Sequence, residues 1–311
     1  MVKKIKFYKN FKISKNHKNS IILIGNFDGL HLGHQKLFNI AKIYKKKFKK
    51  KIGVITFEPM PKMYFNKKLK NFRISNLNQK KILLQNLGVD FAIIKRFDKK
   101  LSKVKSYDFI KNILYQKLQA KYIFVSNNFR YGNKRKGNVK ELVRNEKKFN
   151  YKIIKPKPLI LNSTIISSTL IRKKLSQGKL NYVNKLLKRN WSIEGKVQKG
   201  RQLGKKIGFP TCNIEINDYI IPKTGVYAVK IHIINSNKIL KGIANLGYRP
   251  TFNQKKILLE VFIFNFSGNL YNKVLTIDFI HFIRKEKKFK NINYLKKQIV
   301  TDLKLAKRKL N

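Results

Sequence analysis

Between Ile24 and Leu37 the chain reads IGNFDGLHLGHQKL, which puts three glycines, two histidines and an aspartate into fourteen positions. Gly25 and Gly29 let backbone amides approach a phosphate, and a helix starting just beyond them turns its positive end toward an anion. His31 and His34, three apart at that helix start, lie on one side and can donate hydrogen bonds to a triphosphate. Two other readings of the pair stay open: helix capping or plain solvent exposure, and a metal site. The metal reading lacks ligands, because no nearby run of Cys, His or Glu supplies the rest of a set. A phosphate loop of the Gly-x-x-x-x-Gly-Lys-Ser/Thr type occurs nowhere in the chain.

A second stretch, GKVQKGRQLGKKIGFPTCNIE from Gly195 to Glu215, spaces Gly200, Gly204 and Gly208 among Arg201, Lys205 and Lys206. That is a basic, pliant loop suited to phosphates. Thr211 and Asn213 follow it, one residue apart, so on a strand they point the same way and can share a magnesium ion. An ordinary glycine-rich hairpin loop is the competing reading. Further on, Glu260 interrupts the apolar run LLEVFIF in a chain with only 14 acidic residues. An unpaired carboxylate there is costly, so either chemistry or an outward-facing pairing with a lysine has to account for it.

The elements that position these residues follow from periodicity. Ser20 to Gly25 reads as a strand, followed by a helix from about His34 to Phe48 and a strand from Ile52 to Glu58. A helix through NQKKILLQNLG stops at Gly88, and the strand VDFAII comes next. Ser106 is expected to cap a helix through Leu118, with KYIFVS and NYKIIKP as further strands, the last ended by Pro156 and Pro158. Strands apolar on both faces and separated by helices predict a doubly wound parallel sheet. After about residue 185 the rhythm changes to GVYAVKIHII, ILKGIANLG, ILLEVFIFNF and KVLTIDFIHFI, with no room for helices between them. These predict an all-β small barrel, closed by a helix from about Asn291 that carries Leu295, Ile299, Leu303, Ala306 and Leu310 on one face. The expected domains are 1–185 and 186–311.

A length of 311 residues fits two domains or one large one. No stretch approaches the eighteen or more apolar residues of a membrane span, and the basic start lacks the apolar core of a secretory signal. One cysteine, Cys212, excludes an internal disulfide and a cysteine-based zinc cluster. The expected setting is therefore soluble and cytoplasmic. Lys and Arg total 73, for a formal charge of +59. Read alone, that is the footprint of a nucleic-acid binder. The excess is almost all lysine, spread evenly and accompanied by abundant Asn, Ile, Phe and Tyr, the pattern that AT-rich codon usage imposes on any surface. Nucleic acid is expected to bind only nonspecifically, through charge.

GNFDGLHLGH is similar to the His-x-Gly-His signature of the nucleotidyltransferases, in the GNFDGxHxGH form of the bacterial FAD synthetase module. TFEPMP (Thr56 to Pro61), FVSNNFRYG (Phe124 to Gly132) and ISSTLIR (Ile166 to Arg172) agree with that module in order. The resemblance implies a nucleotidyltransferase-type α/β domain that transfers the adenylyl group of ATP to FMN, giving FAD and pyrophosphate. It assigns stabilisation of the leaving group to His31 and His34, and nucleotide binding to Gly25, Asn26, Asp28 and Gly29. Ser168, Thr169 and Arg172 would grip the ATP phosphates, and Asn128 would contact nucleotide or flavin. The chain departs from the pattern at Ile165 and Ile166, where a basic residue is frequent, and at Ser126 and Asn127, where a glycine and an acid are usual. GFPTCN in turn resembles the GFPTAN hallmark of riboflavin kinases, with Cys212 for the alanine. GVYAV, GIANLGYRPTF, LEVFIFNF and RKEKKF follow in order. This second resemblance implies phosphorylation of riboflavin by ATP, with Glu260 as base and Thr211 and Asn213 holding Mg2+. Gly200, Arg201 and Gly204 would bind nucleotide, while Arg284 and Glu286 either shape the flavin pocket or form a surface ion pair. Together the two resemblances cover essentially the whole chain and imply one bifunctional enzyme of flavin cofactor synthesis. The alternatives are a kinase whose adenylyl site has decayed and a basic nucleic-acid-binding protein on an old enzyme fold.

Overall fold

The computed structural model of this chain describes residues 5–200, 203–234, 236, 238–250 and 255–311. They form two compact units, one of Met1–Leu69 and Leu77–Ser167, the other of Lys70–Asn76 and Ser168–Asn311.

The first unit is built on β1 (Lys6–Tyr8), β2 (Ile21–Ile24), β3 (Ile52–Glu58), β4 (Phe91–Arg96), β5 (Tyr122–Phe124) and β6 (Lys152–Ile154). They lie in the order β1-β4-β3-β2-β5-β6, every neighbouring pair parallel. All four residues of β2 are buried, which explains its unbroken apolar run: helices cover both faces. Ile22 and Ile24 pack on one side with Leu114 and Leu118, while Ile21 and Leu23 pack on the other with Phe38, Ala41 and Leu84. The helices are α1 (Leu32–Phe48) and α2 (Leu77–Asn86), the latter followed by Gly88 at φ +73°. β1 is absent from the sequence reading because KFY is too short to show a period; pairing with Phe91 to Ile93 makes it a strand. Ser106 does not cap. Lys105 holds that position, and the Ser106 hydroxyl donates to Glu141 Oε1 at 2.9 Å. The helix it opens then widens into a π-helix over Phe109–Lys117.

Chain connections run from β2 through β3 to β4 on one side and from β5 to β6 on the other. The reversal falls between β2 and β5, whose carboxyl ends therefore flank the crevice where open α/β sheets bind ligands.

In the second unit β7 (Trp191–Gln198), β8 (Cys212–Ile214), β9 (Gly225–Ile233), β10 (Ile239–Pro250), β11 (Lys255–Ile263) and β12 (Val274–Arg284) close an antiparallel barrel in the order β7-β8-β11-β10-β9-β12. Trp191, Ile214, Tyr227, Leu246, Leu259 and Phe279 are buried in its core. Helices α3 (Ser168–Ser176) and α4 (Leu180–Leu187) precede it. The segment 70–76 joins this unit through hydrogen bonds from Ile220 N–H to Arg73 O (2.7 Å) and from Trp191 Nε1 to Ile74 O (2.8 Å). No periodicity announces that association.

Helix α5 (Ile292–Leu310) closes the chain, its first amides capped by Asn291 Oδ1. Of its expected apolar face, Ala306 and Leu310 are buried while Leu295, Ile299 and Leu303 are half-buried. Asp302 on the same helix is also buried and takes a two-pronged ion pair from Arg284, with Nη2 at 2.7 Å and Nε at 2.9 Å from Oδ2. Among the described residues no helix is long and apolar enough to cross a membrane.

Removing one partner of a buried pair strands the other charge. Asp302→Ala is expected to destabilise the barrel by about 3 to 5 kcal/mol. Trp191, the single tryptophan of the chain and buried in β7, reports this as an earlier fluorescence transition in urea.

Candidate active sites

The loop from Gly25 to His31 leaves the carboxyl end of β2. Phe27, Gly29 and Leu30 all take positive φ (47°, 77° and 43°), a conformation that is routine for Gly29 and strained for the other two. Strain of this kind costs about 1 to 3 kcal/mol per residue and persists only where packing enforces it. Phe27 is held by the rings of Phe38 and His34, with centroids 5.2 and 5.3 Å away, and Asp28, Gly29 and Leu30 are buried with it. Asn26 is exposed, and its carbonyl accepts from the buried Thr56 hydroxyl at 3.2 Å.

His31 is the N-cap of α1: its Nδ1 accepts the backbone N–H of His34 at 3.4 Å. The capping and functional readings are thus compatible, since an accepting Nδ1 leaves the ring proton of a neutral His31 on Nε2. The two imidazoles stack, with centroids 3.8 Å apart and planes at 22°. Gly33 makes the stack possible; a Cβ there would stand 3.0 Å from the Ile166 carbonyl and 3.1 Å from the His31 ring. His34 Nδ1 is buried without a hydrogen-bond partner among the described residues. Burial, then the neighbouring His31, then the charge of Lys80 hold the His34 pKa well below its ordinary value. Lys80, a fully buried ammonium on α2, was not anticipated from sequence; the only signal was a lysine on the face of the helix that carries Leu84.

Asn128 sits exposed on the loop after β5, its Oδ1 accepting from Ser126 Oγ at 2.9 Å. Because β5 neighbours β2, this loop and the histidine loop leave adjacent carboxyl ends of the sheet. Ser168 and Thr169 open α3 in the second unit. Arg172 on the same helix stacks its guanidinium 3.7 Å from the centre of the Phe72 ring and donates from Nε to Phe72 O at 2.8 Å.

In the barrel, Asn213 lies on β8 and Thr211 immediately precedes that strand, with Gly200 and Gly204 against them. A Cβ at Gly200 would collide with the Asn213 amide, and one at Gly204 would stand 3.2 Å from Thr211 Oγ1. Arg201 lies outside the described residues. Asn213 pairs directly with Glu260 across β8 and β11, so both side chains leave the same face. Asn213 Oδ1 is buried with no hydrogen-bond partner among the described residues. An orphaned neutral oxygen beside a hydroxyl two residues earlier fits a hard cation that completes its shell with water and phosphate. Cys212 faces the other way and donates to Val261 O at 3.4 Å; burial pushes its thiol up to about 11, so it is inert. The carboxylate of Glu286 fills the space where Gly247 would carry a side chain. Arg284 is engaged by the buried Asp302 and by the Lys285 carbonyl, a pairing different from the surface ion pair that the sequence offered for Arg284 and Glu286.

Comparison with known proteins places both halves of the chain. A family model described as FAD synthetase matches residues 13–170, and one described as riboflavin kinase matches residues 187–310. A bifunctional riboflavin kinase/FMN adenylyltransferase of Buchnera aphidicola (subsp. Schizaphis graminum) is 39% identical over 96% of each chain. The protein of that name from Haemophilus influenzae is 37% identical over 92% of each, and that from Escherichia coli K12 is 32% identical over 91% of this chain and 90% of its own.

The chain belongs to the bifunctional riboflavin kinase/FMN adenylyltransferase family.

A solved Streptococcus pneumoniae structure, titled a macrolide-efflux protein, has a TM-score of 0.86 and 26% identity to this member of the family, covering 97% of this chain and 98% of that one. Within the family frame, sequence reasoning passed over Gly33 although its motif contains it, because the position looks like a spacer until the Ile166 carbonyl is seen against it.

A histidine buried in neutral form binds fewer protons than it does in the unfolded chain. The stability this contributes is complete above the ordinary histidine pKa near 6.5 and is lost as pH falls below it. His34→Gln is expected to flatten the decline in stability below about pH 6.5, and imidazole NMR of the parent protein should find one ring that stays neutral to lower pH than an ordinary histidine.

Proposed function

We propose that this chain makes FAD from riboflavin in two ATP-dependent steps, with phosphorylation in residues 186–311 and adenylyl transfer in residues 1–185. The observation that carries the reading is the pairing, in one chain, of the stacked His31–His34 loop at a sheet switch point with a barrel face bearing Asn213 and Glu260 beside a glycine-rich loop.

In the first step Glu260 takes the proton of the riboflavin alcohol as its oxygen attacks the γ-phosphorus of ATP, and ADP leaves. Thr211 and Asn213 would hold Mg2+, which when bound neutralises charge on the ATP phosphates. Gly200, Arg201 and Gly204 cradle those phosphates. Glu286 borders the flavin. In the second step a phosphate oxygen of FMN attacks the α-phosphorus of a second ATP in line, and pyrophosphate leaves. His31, through Nε2, and His34, kept neutral, donate hydrogen bonds to the charge that develops on the leaving group. The loop Gly25, Asn26, Asp28 and Gly29 supplies backbone contacts at the positive end of α1, and Asn128 reaches the nucleotide or flavin from the neighbouring loop. Ser168, Thr169 and Arg172 take the ATP phosphates.

The cytoplasm, reducing and supplied with ATP, suits a single inert thiol. A charge of +59 adds a nonspecific, salt-sensitive attraction for nucleic acid.

The test is a product assay with riboflavin, ATP and magnesium. The parent protein is expected to give transient FMN and then FAD. Paired substitution of His31 and His34 by Ala should leave FMN accumulating, with FAD formation down by about 100-fold or more. Glu260→Gln should cut FMN formation by about 10²- to 10⁴-fold while FAD still forms from supplied FMN. FMN from the parent protein with no FAD would sink the adenylyl half of the reading and leave the kinase half standing.

A further inference from the structure

Across β8, β11 and β10 three polar side chains stand abreast. Asn213 pairs directly with Glu260, and Glu260 pairs directly with Asn245. Directly opposed residues leave the same face with Cβ atoms about 4.5 to 5.5 Å apart. The next row along, Ile214, Leu259 and Leu246, is completely buried in the barrel core, so the polar row leaves the opposite, outer face. Asn245 is half-buried there, one pleat from Gly247, whose missing side chain makes room for the Glu286 carboxylate. Asn245 thus flanks Glu260 on one side as Asn213 does on the other, and it shares its face with both carboxylates of the site.

We propose that Asn245 is a positioning residue of the kinase site, whose side-chain amide holds the Glu260 carboxylate in the orientation that accepts the alcohol proton. The inference rests on the reading of Glu260 as base. An amide offers two N–H donors and carries no charge. It can direct one carboxylate oxygen and leave the other turned to the substrate, without the loss of basicity that a paired cation imposes. That distinction matters in a chain with 73 lysines and arginines, where a cationic neighbour is the commonest alternative.

The test compares Asn245→Ala, Asn245→Ser, Asn245→Asp, Glu260→Gln and the double variant Glu260→Gln/Asn245→Ala in riboflavin phosphorylation. The urea transition of Trp191 fluorescence checks that each barrel is folded. Asn245→Ala is expected to lower kcat by about 10- to 100-fold with KM for ATP nearly unchanged, and Asn245→Ser, which keeps a donor, to recover part of it. Asn245→Asp, which loses both N–H donors and sets a like charge beside Glu260, should lower kcat at least as far as Asn245→Ala does. The double variant should be no slower than Glu260→Gln alone, because residues acting as a unit are not additive. If Glu260→Gln is inactive while Asn245→Ala and Asn245→Asp both keep the parent kcat, the inference is overturned and the base assignment stands. If Glu260→Gln keeps the parent kcat, the base assignment itself fails and the inference goes with it.

Discussion

Both candidate sites depend on backbone approaching side chain more closely than a Cβ permits. Gly33 presses on the His31 ring, Gly200 on the Asn213 amide, and Gly247 leaves its space to the Glu286 carboxylate. Interiors are packed to crystal density, so a group seated against bare backbone has little freedom to turn. For phosphoryl and adenylyl transfer this matters more than reactivity, because catalysis of such steps is mostly positioning and electrostatics. The strained Phe27 and Leu30 of the histidine loop belong to the same economy of space: their backbone is held by packing around Phe38.

The charge of the chain and the charge of its sites are different matters. A total of +59 is distributed over the surface, where each lysine is screened within about 8 to 10 Å by physiological salt. Several groups gathered at the sites are neutral: a His34 held uncharged by burial, Thr211, Asn213 and Asn245. The charged candidates are the carboxylates Asp28, Glu260 and Glu286, the guanidinium groups of Arg172, Arg201 and Arg284, and the buried Lys80 near His34. Neutral donors can be aimed at a phosphate without binding the ground state so tightly that the transition state gains nothing. Abundant surface lysine therefore coexists with sites that do not use it, which is what codon-driven composition predicts.

Much of the architecture was legible in the residues. Ile52 to Glu58 was bounded correctly as β3 because it is apolar on both faces, and Gly88 ends α2 as its type suggests. The histidine loop was legible through its motif: glycines and histidines at that spacing before a helix leave several readings open, and TFEPMP, FVSNNFRYG and ISSTLIR following in order narrow them. Ser106 misled because a serine at a helix start is the commonest cap, yet Glu141, 35 positions away, claims its hydroxyl. Lys80 left one faint mark, its place four residues before Leu84 on the same helix face, which a lysine-rich chain does little to distinguish.

The sequence by itself determined the type of most elements and the order of the two modules, and it nominated the candidate site residues, because periodicity, turn chemistry and motif spacing are local. Only the tertiary structure decided which distant residues meet: Asn245 beside Glu260, Arg284 with Asp302, and the segment 70–76 on the barrel unit. Strand register is settled by which rows of side chains reach the core together, and a slip of one residue would turn Asn245 and Glu260 inward. That balance is struck between strands separated by loops, and no stretch of one strand records it.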